Sequence, residues 1–346
     1  MNERLQQLSE AVGVSGAEKE VRIILKDMIE PLVDEWHVDA LGNLICFKKG
    51  TGDVDLKVMV DAHMDEVGML ITEVDSQGTA KFMTVGGIND RALLGKTVQV
   101  GEKKLPGVIG ARPIHLLRTA SERARVVKSD DMRIDVGALT KDFGGKKMKV
   151  GDRATFLTKY EEAGRMALGK ALDNRCGCAI LVDLLEGDPF PFDLYAVFSV
   201  QEEIGLRGAR VAAQGLKPDV ALVLETTPAY DLPTEDDVSP NVALGKGASV
   251  YVMDRVTIQD PRLVSHIMKT ASDNDIPFQV RQPGGGGTDT GAIQRVGPAV
   301  SSATIAVPVR YPHAPTSMVN LDDFEAVRKL AGATLRSLTP QVFSRA

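Results

Sequence analysis

The stretch DLYAVFSVQEEIGLRGARVAAQGLKPDVALVLE, residues 193–225, decides the fold. Its opening apolar run, LYAVFSV (194–200), predicts a buried strand. LRGARVAAQGL (206–216) reads as helical, and PDVALVLE (218–225) as a second strand. Strand–helix–strand alternation with buried strands argues for a three-layer α/β domain. The same stretch poses a chemical question, because Glu202 and Glu203 sit side by side at a strand end. Adjacent carboxylates repel, and a buried pair needs a cation or a shared proton.

Outward toward the N-terminus, LKVMVDAH (56–63) is another strand running into charged residues, preceded by a short strand, NLICF (43–47). Ser15 and Glu18 match the S-x-x-E capping box. They are expected to open a helix with Val21, Ile24, Leu25 and Ile29 on one face. From about 70 to 163 the character changes to short β-rich segments split by Gly, Asp and Lys turns, such as GMLITEVD, TAKFMTVGG, KTVQV and RATFLTKY. That predicts a compact β domain, residues 70–163, inserted into an α/β domain formed by 1–69 and 164–346. Beyond 225, PRLVSHIMKTASDNDI reads as helix, FQVRQP and SSATIAVPVR as strands, and 321–338 as a final helix.

The bulk numbers exclude several classes. The chain has 346 residues, 43% hydrophobic and 25% charged, with net charge −6 and the two signs interspersed, so nothing marks a nucleic-acid surface. No run approaches the ~18 apolar residues of a membrane span. The N-terminal segment lacks the basic-then-apolar order of a signal peptide. Cys46, Cys176 and Cys178 have no zinc-ribbon spacing, and Cys176 and Cys178, set beside apolar residues, read as small core fillers. A reduced, cytoplasmic protein is expected.

Polar residues cluster where apolar strands end, the place where open α/β sheets gather ligands. These are His63 and Asp65 after LKVMVDA, Glu202 and Glu203 after LYAVFSV, Glu225 after VALVL, and His313 after IAVPVRYP. Asp173, in GKALDNR, precedes a helix instead. Each has a bland reading: a hydrogen-bonded strand end for His63 and Asp65, a helix N-cap for Asp173, a solvated loop acid for Glu225, a satisfied histidine for His313. Together they form a ligand set suited to zinc, cobalt or manganese. A dinuclear site needs two terminal ligands per metal, one bridging carboxylate and a free carboxylate to deprotonate water. The count fits: His63 with Glu225, Glu203 with His313, Asp173 between them, and Glu202 left as base.

VDAHMDEVG, ALDNR, SVQEEIGLRGA, ETTPAYD, GGGGTDTGAI and RYPHAP resemble, in order and spacing, the tetrahedral aminopeptidases. These co-catalytic dinuclear metallopeptidases are also called glutamyl or deblocking aminopeptidases, and some members carry a cellulase label. The resemblance covers nearly the whole chain, including VGGIND and LPGVIGARPIHLL in the β domain. It implies a mixed-sheet α/β/α catalytic domain with an inserted small β-barrel-like domain that mediates dimerisation and substrate access. It implies two divalent metals per subunit, Zn or Co with Mn as a further choice, on His63, Asp173, Glu203, Glu225 and His313. Glu202 would be the general base and Asp65 would orient His63. Peptide substrates and a homo-oligomer, a dimer building toward a dodecamer, are implied as well. His115 matches a histidine placed near a neighbouring subunit's site; an ordinary β-domain histidine is the other reading.

Two departures stand out. Glu225 replaces the usual Asp, adding a methylene to the ligand stem. HAPTS (313–317) replaces H-S-P-x-E, so Thr316 and Ser317 remove a carboxylate near the site and loosen ligand support. GGGGTDTG (284–291) lacks the Lys-Ser/Thr of a phosphate loop. It fits better as a glycine run that lets backbone approach a peptide, with Asp289 close to the site. Rival readings are an N-acyl deblocking enzyme on the same site and a metal-binding homologue with reduced activity. A glycosidase fits less well, since its two carboxylates flank a sugar bond and these acids are tied to histidines. Arg281 and Arg310 are candidate selectors of acidic first residues.

Overall fold

The computed structural model describes residues 2–232, 242–282 and 284–344. Two helices, α1 (Asn2–Glu10) and α2 (Lys19–Ile29), lead into strands β1 (Glu35–Val38), β2 (Leu44–Lys48) and β3 (Lys57–His63). Next come β4 (Gly68–Val74), β5 (Ala80–Val85), β6 (Thr97–Val100), β7 (Leu105–Gly110), α3 (Ala120–Ala124), β8 (Arg133–Asp135), α4 (Lys141–Lys147) and β9 (Arg153–Phe156). The chain returns through β10 (Glu161–Ala163), β11 (Met166–Gly169), α5 (Leu172–Glu186), β12 (Asp193–Ser199), α6 (Arg207–Leu216) and β13 (Val220–Pro228). It finishes with β14 (Ala248–Tyr251), α7 (Pro261–Asp273), β15 (Phe278–Arg281), α8 (Thr290–Ile293), β16 (Ser301–Arg310), β17 (Ser317–Asn320) and α9 (Leu321–Arg336).

Eleven strands form one mixed sheet in the order β1-β2-β12-β3-β13-β16-β17-β11-β10, with β14 pairing β15 and β16. Its centre, β12-β3-β13-β16, is parallel, and the flanking pairs are antiparallel. Period-2 alternation divides each central strand between two cores. Val58, Val60 and Ala62 of β3 and Leu222 and Leu224 of β13 pack with α1, α2, α5, α7 and α9. Met59, Ala221 and Val223 pack instead with Ala209, Ala212 and Ala213 of α6 and Ile293 of α8. Helices therefore cover both faces, the three-layer architecture expected. Each fully buried Leu, Ile or Phe here contributes about 1.5–3 kcal/mol.

β4-β5-β8-β7-β6-β9 close into an antiparallel barrel around its own core of Met69, Ile71, Phe82, Val98, Ile109, Ile134 and Phe156. The β-rich segments read from the sequence are its staves. Cys46, Cys176 and Cys178 are buried free thiols, the last two in α5. Between them Gly177 lets α5 lie against β13, since a Cβ there would sit 2.7 Å from the Leu224 carbonyl oxygen.

The capping box is a correction. α2 starts at Lys19 with no side-chain cap bond from Glu18. Ser15 Oγ donates instead to Asp65 Oδ2 at 2.6 Å, and Glu18 Oε1 accepts from Gly16 N–H. Burying Ser15 against Asp65 at the end of β3 satisfies a carboxylate that would otherwise be short of a donor.

Candidate active site

The parallel register explains why distant residues meet. Val223 pairs with Asp61 and Ser199 with His63, so the two further residues that reach His63 on β3 reach Glu225 on β13. His63 and Glu225 thus share the sheet face carrying Met59 and Val223. His63 Nε2 lies 3.4 Å from Glu225 Oε1 and 3.4 Å from Asp173 Oδ1. The other carboxylate oxygen of Asp173, Oδ2, lies 3.4 Å from His313 Nε2, which is 3.2 Å from Glu203 Oε2. Two clusters result, His63–Asp173–Glu225 and Asp173–Glu203–His313, with Asp173 common to both.

Asp173 occupies the first turn of α5 but with non-helical backbone angles. Its carboxylate faces the two imidazoles rather than capping the helix. Glu202 and Glu203 follow β12 in a turn whose backbone N–H groups donate to Asp65 Oδ1 (2.9 Å) and Oδ2 (3.2 Å). Asp65 Oδ1 also lies 3.4 Å from His63 Nδ1. One buried carboxylate therefore holds the end of β3, the glutamate turn and, through Ser15, the segment before α2. The adjacent glutamates diverge: Glu203 goes to His313, while Glu202 Oε2 stays 4.0 Å from His63 Nε2, outside both clusters.

Burial and the groups' own mutual charges set the protonation of the site. Burial pushes Glu225 up to about 7 and Glu203 to about 8, and carries Glu202 well above the carboxylate range. Burial alone would lower the histidines. Glu225 and Glu202 carry His63 well above its usual value, and Asp173 and Glu203 raise His313 to about 9. Asp173 is held far below the usual range, because its two imidazole partners outweigh its burial. Such concentrations of shifted groups mark functional sites.

These residues fit a pair of divalent metals. Glu203 Oε1 and Glu225 Oε2 are buried without a hydrogen-bond partner, a cost that coordination removes. Two imidazole nitrogens and carboxylate oxygens are the donor set of zinc and its neighbours. The longer stem of Glu225 still brings its oxygen to His63. Ser317 is buried and donates to the Gly169 carbonyl at 3.1 Å, while Thr316 is exposed; neither supplies a charge.

Comparison with known proteins decides the family. The model of M42 glutamyl aminopeptidases matches residues 42–330. The chain belongs to that family. It is 37% identical to the putative aminopeptidase FrvX of Escherichia coli (strain K12), covering 98% of this chain and 96% of that one. The structure of a TET aminopeptidase from a marine-sediment archaeon of the Thaumarchaeota superposes with a TM-score of 0.94 at 34% identity, covering 98% and 97% of the two chains. The TET1 peptidase of Pyrococcus horikoshii, described as assembling into a tetrahedron or a large octahedral shell, matches at 0.86 and 32% identity, covering 97% and 99%. This member of the M42 family is a metal-dependent aminopeptidase, a hydrolase of peptide bonds.

Asp289, expected close to the site from the glycine run, and Glu66, which carries no local signal in the sequence, both support the site. Asp289 Oδ2 accepts from Ser199 Oγ at 3.0 Å, and that hydroxyl lies 3.3 Å from Asp61. Glu66 joins Lys170 Nζ (2.9 Å), Thr155 of the barrel and the Gly13 N–H, so it ties three parts of the chain beside Asp65. Arg281 stacks on Tyr251 and donates to Thr227 and Gly285, and Arg310 is paired with Asp231. Both arginines are engaged within the fold. No helix among the described residues is long and apolar enough to cross a membrane.

Proposed function

We propose that this aminopeptidase works with two metal ions, one on His63 and Glu225, the other on Glu203 and His313, with Asp173 bridging. The observation that supports it is the split of Asp173, one oxygen toward each imidazole. Ions held there would supply Lewis-acid polarisation of the scissile carbonyl, a hold on the free α-amine and a water pKa lowered toward ~7. Glu202 is free of both clusters and is the group left to take the water's proton and return it to the leaving amine. Asp65 fixes the His63 ring with Nε2 toward the cluster. Zinc or cobalt, with manganese as a further choice, suit the ligand set.

The barrel strands, all between Gly68 and Phe156, support an inserted part close to the expected 70–163 within a catalytic part of 1–69 and 164–346, although β10 (Glu161–Ala163) pairs into the main sheet. Exposed Ile114 and Leu116 flank His115 on a barrel turn. They support assembly of this chain as a homo-oligomer through that part; the Pyrococcus horikoshii relative is described as assembling into a tetrahedron or a large octahedral shell. Three buried free thiols fit a reducing cytoplasm.

The test is to strip the protein with chelator, refill it with Zn, Co or Mn, and follow amino-acid release from free and N-acetylated dipeptides. Metal-restored cleavage of the free set alone is expected. Cleavage of the acetylated set alone would instead establish the deblocking reading. Bound metal with silence on both sets would show that Glu225 and the Thr316–Ser317 segment have removed turnover.

A further inference from the structure

His313 is the most exposed of the proposed ligands. His63 ends a central strand and its side chain is 2% exposed; the His313 side chain is 36% exposed, on a loop, with a backbone φ of +58°. Apart from the carboxylates of its cluster, its hydrogen-bond partner comes from the barrel. The Gly87 carbonyl lies 3.3 Å from His313 Nδ1 across 226 residues of chain. A carbonyl can only accept, so Nδ1 carries a proton, and Nε2, which faces Asp173 and Glu203, is the nitrogen that would exchange its proton for a metal ion. Histidines that bind metal almost always anchor the other ring nitrogen in this way.

The barrel reaches the site through Gly86–Gly87, directly after β5. A Cβ at Gly87 would stand 3.1 Å from His313 Nδ1. A Cβ at Gly86, whose φ is +82°, would stand 2.6 Å from Val67 Cγ1 and 3.4 Å from Glu203 Cβ. The approach of backbone to both ligands of one cluster thus depends on two side-chain-free residues.

We infer that the Gly86–Gly87 turn of the barrel is a positioning element for the Glu203–His313 metal, so that occupancy of this one site, and not of the His63–Glu225 site, depends on how the barrel is seated. This rests on the two-metal reading above. A loop histidine that loses its anchor must order its own ring on binding, whereas His63 keeps Asp65 whatever the barrel does.

The experiment titrates chelator-stripped full-length protein with Zn²⁺ alone, by calorimetry and by elemental analysis after dialysis. It compares wild type with Gly87→Ala and with Gly110→Ala, a barrel glycine whose added Cβ would meet nothing within 4 Å. Two sites in wild type are the reading this inference rests on; a single site would remove both. In Gly87→Ala one site is expected to weaken by roughly 10–100-fold while the other stays within about twofold. Gly110→Ala should keep both. Equal affinities in Gly87→Ala and wild type, equal weakening of both sites, or the same loss in Gly110→Ala would overturn the inference. A second readout needs no variant: ¹⁵N–¹H correlation spectra of the zinc-loaded wild type should show His313 protonated at Nδ1. Protonation at Nε2 would overturn it even if Gly87→Ala does not fold.

Discussion

Asp65→Asn removes one charge and no volume, which makes its cost calculable. The carboxylate accepts from Ser15 Oγ (2.6 Å), Glu202 N–H (2.9 Å) and Glu203 N–H (3.2 Å), and faces His63 Nδ1. Although burial pushes its pKa up, His63, Ser15 and the Glu202 N–H hold it below the usual range, so the folded state uses the ionised form. An asparagine must turn its NH₂ toward one side, and both sides present a backbone N–H: Glu202 at Oδ1, Glu203 at Oδ2. Whichever way the amide lies, one buried donor loses its acceptor, at about 1–3 kcal/mol. The remaining bonds lose charge assistance, worth about 1 kcal/mol each. The sum is about 3–5 kcal/mol, read by urea unfolding in excess chelator. Metal affinity at the His63 site should drop by roughly 10–100-fold. A variant within about 1 kcal/mol of wild type with unchanged metal affinity would refute the role of Asp65 as the anchor of this turn.

Glu202→Gln should keep its full metal complement, because Glu202 belongs to neither cluster, yet lose turnover by roughly 10²–10⁴-fold; full activity in a steady-state assay would remove it as base. In the metal-free protein Glu203 and His313 are raised to about 8 and about 9 and Glu225 to about 7. With His63 also raised well above its usual value, zinc binding at pH 7 should therefore expel on the order of three protons per chain, and affinity should rise with pH up to about 9. Calorimetry in buffers of different ionisation heat measures this, and zero release would contradict it. Away from the site, Asp260 caps α7 through the Arg262 N–H and pairs with the Arg262 side chain and Ser301. Those bonds outweigh burial and depress Asp260 to about 2. A depressed carboxylate stabilises above its unfolded pKa and loses that contribution as pH falls through the folded one. The window is thus about pH 4 down to 2, and Asp260→Asn should cost about 1–2 kcal/mol at pH 7 after allowance for partial exposure. A Tm unchanged by the substitution at pH 7 would count against it.

The central strands were legible because burial on both faces leaves near-continuous apolar runs such as LYAVFSV and VALVL, and their ends exposed the ligand candidates. The edges were not. β1 is EWHV, mostly exposed, and β10, β11, β14 and β17 are three or four residues long, too short for a period to register. The Ser15–Glu18 pattern misled because a local motif was overridden by a partner fifty residues away. Gly87 and His313 meet across 226 residues, and the Asp65 turn joins backbone N–H groups, which have no identity in a sequence. Motif order pointed to the candidate ligands and to Asp173 as their link; the fold shows that its two oxygens face different histidines.

The most direct test of that arrangement is anomalous diffraction from a crystal soaked in zinc after chelator treatment. Two peaks about 3.5–4 Å apart, with the Asp173 carboxylate between them, His63 and Glu225 on one and Glu203 and His313 on the other, are the predicted result. A single peak, or a second peak that Asp173 does not touch, would contradict it.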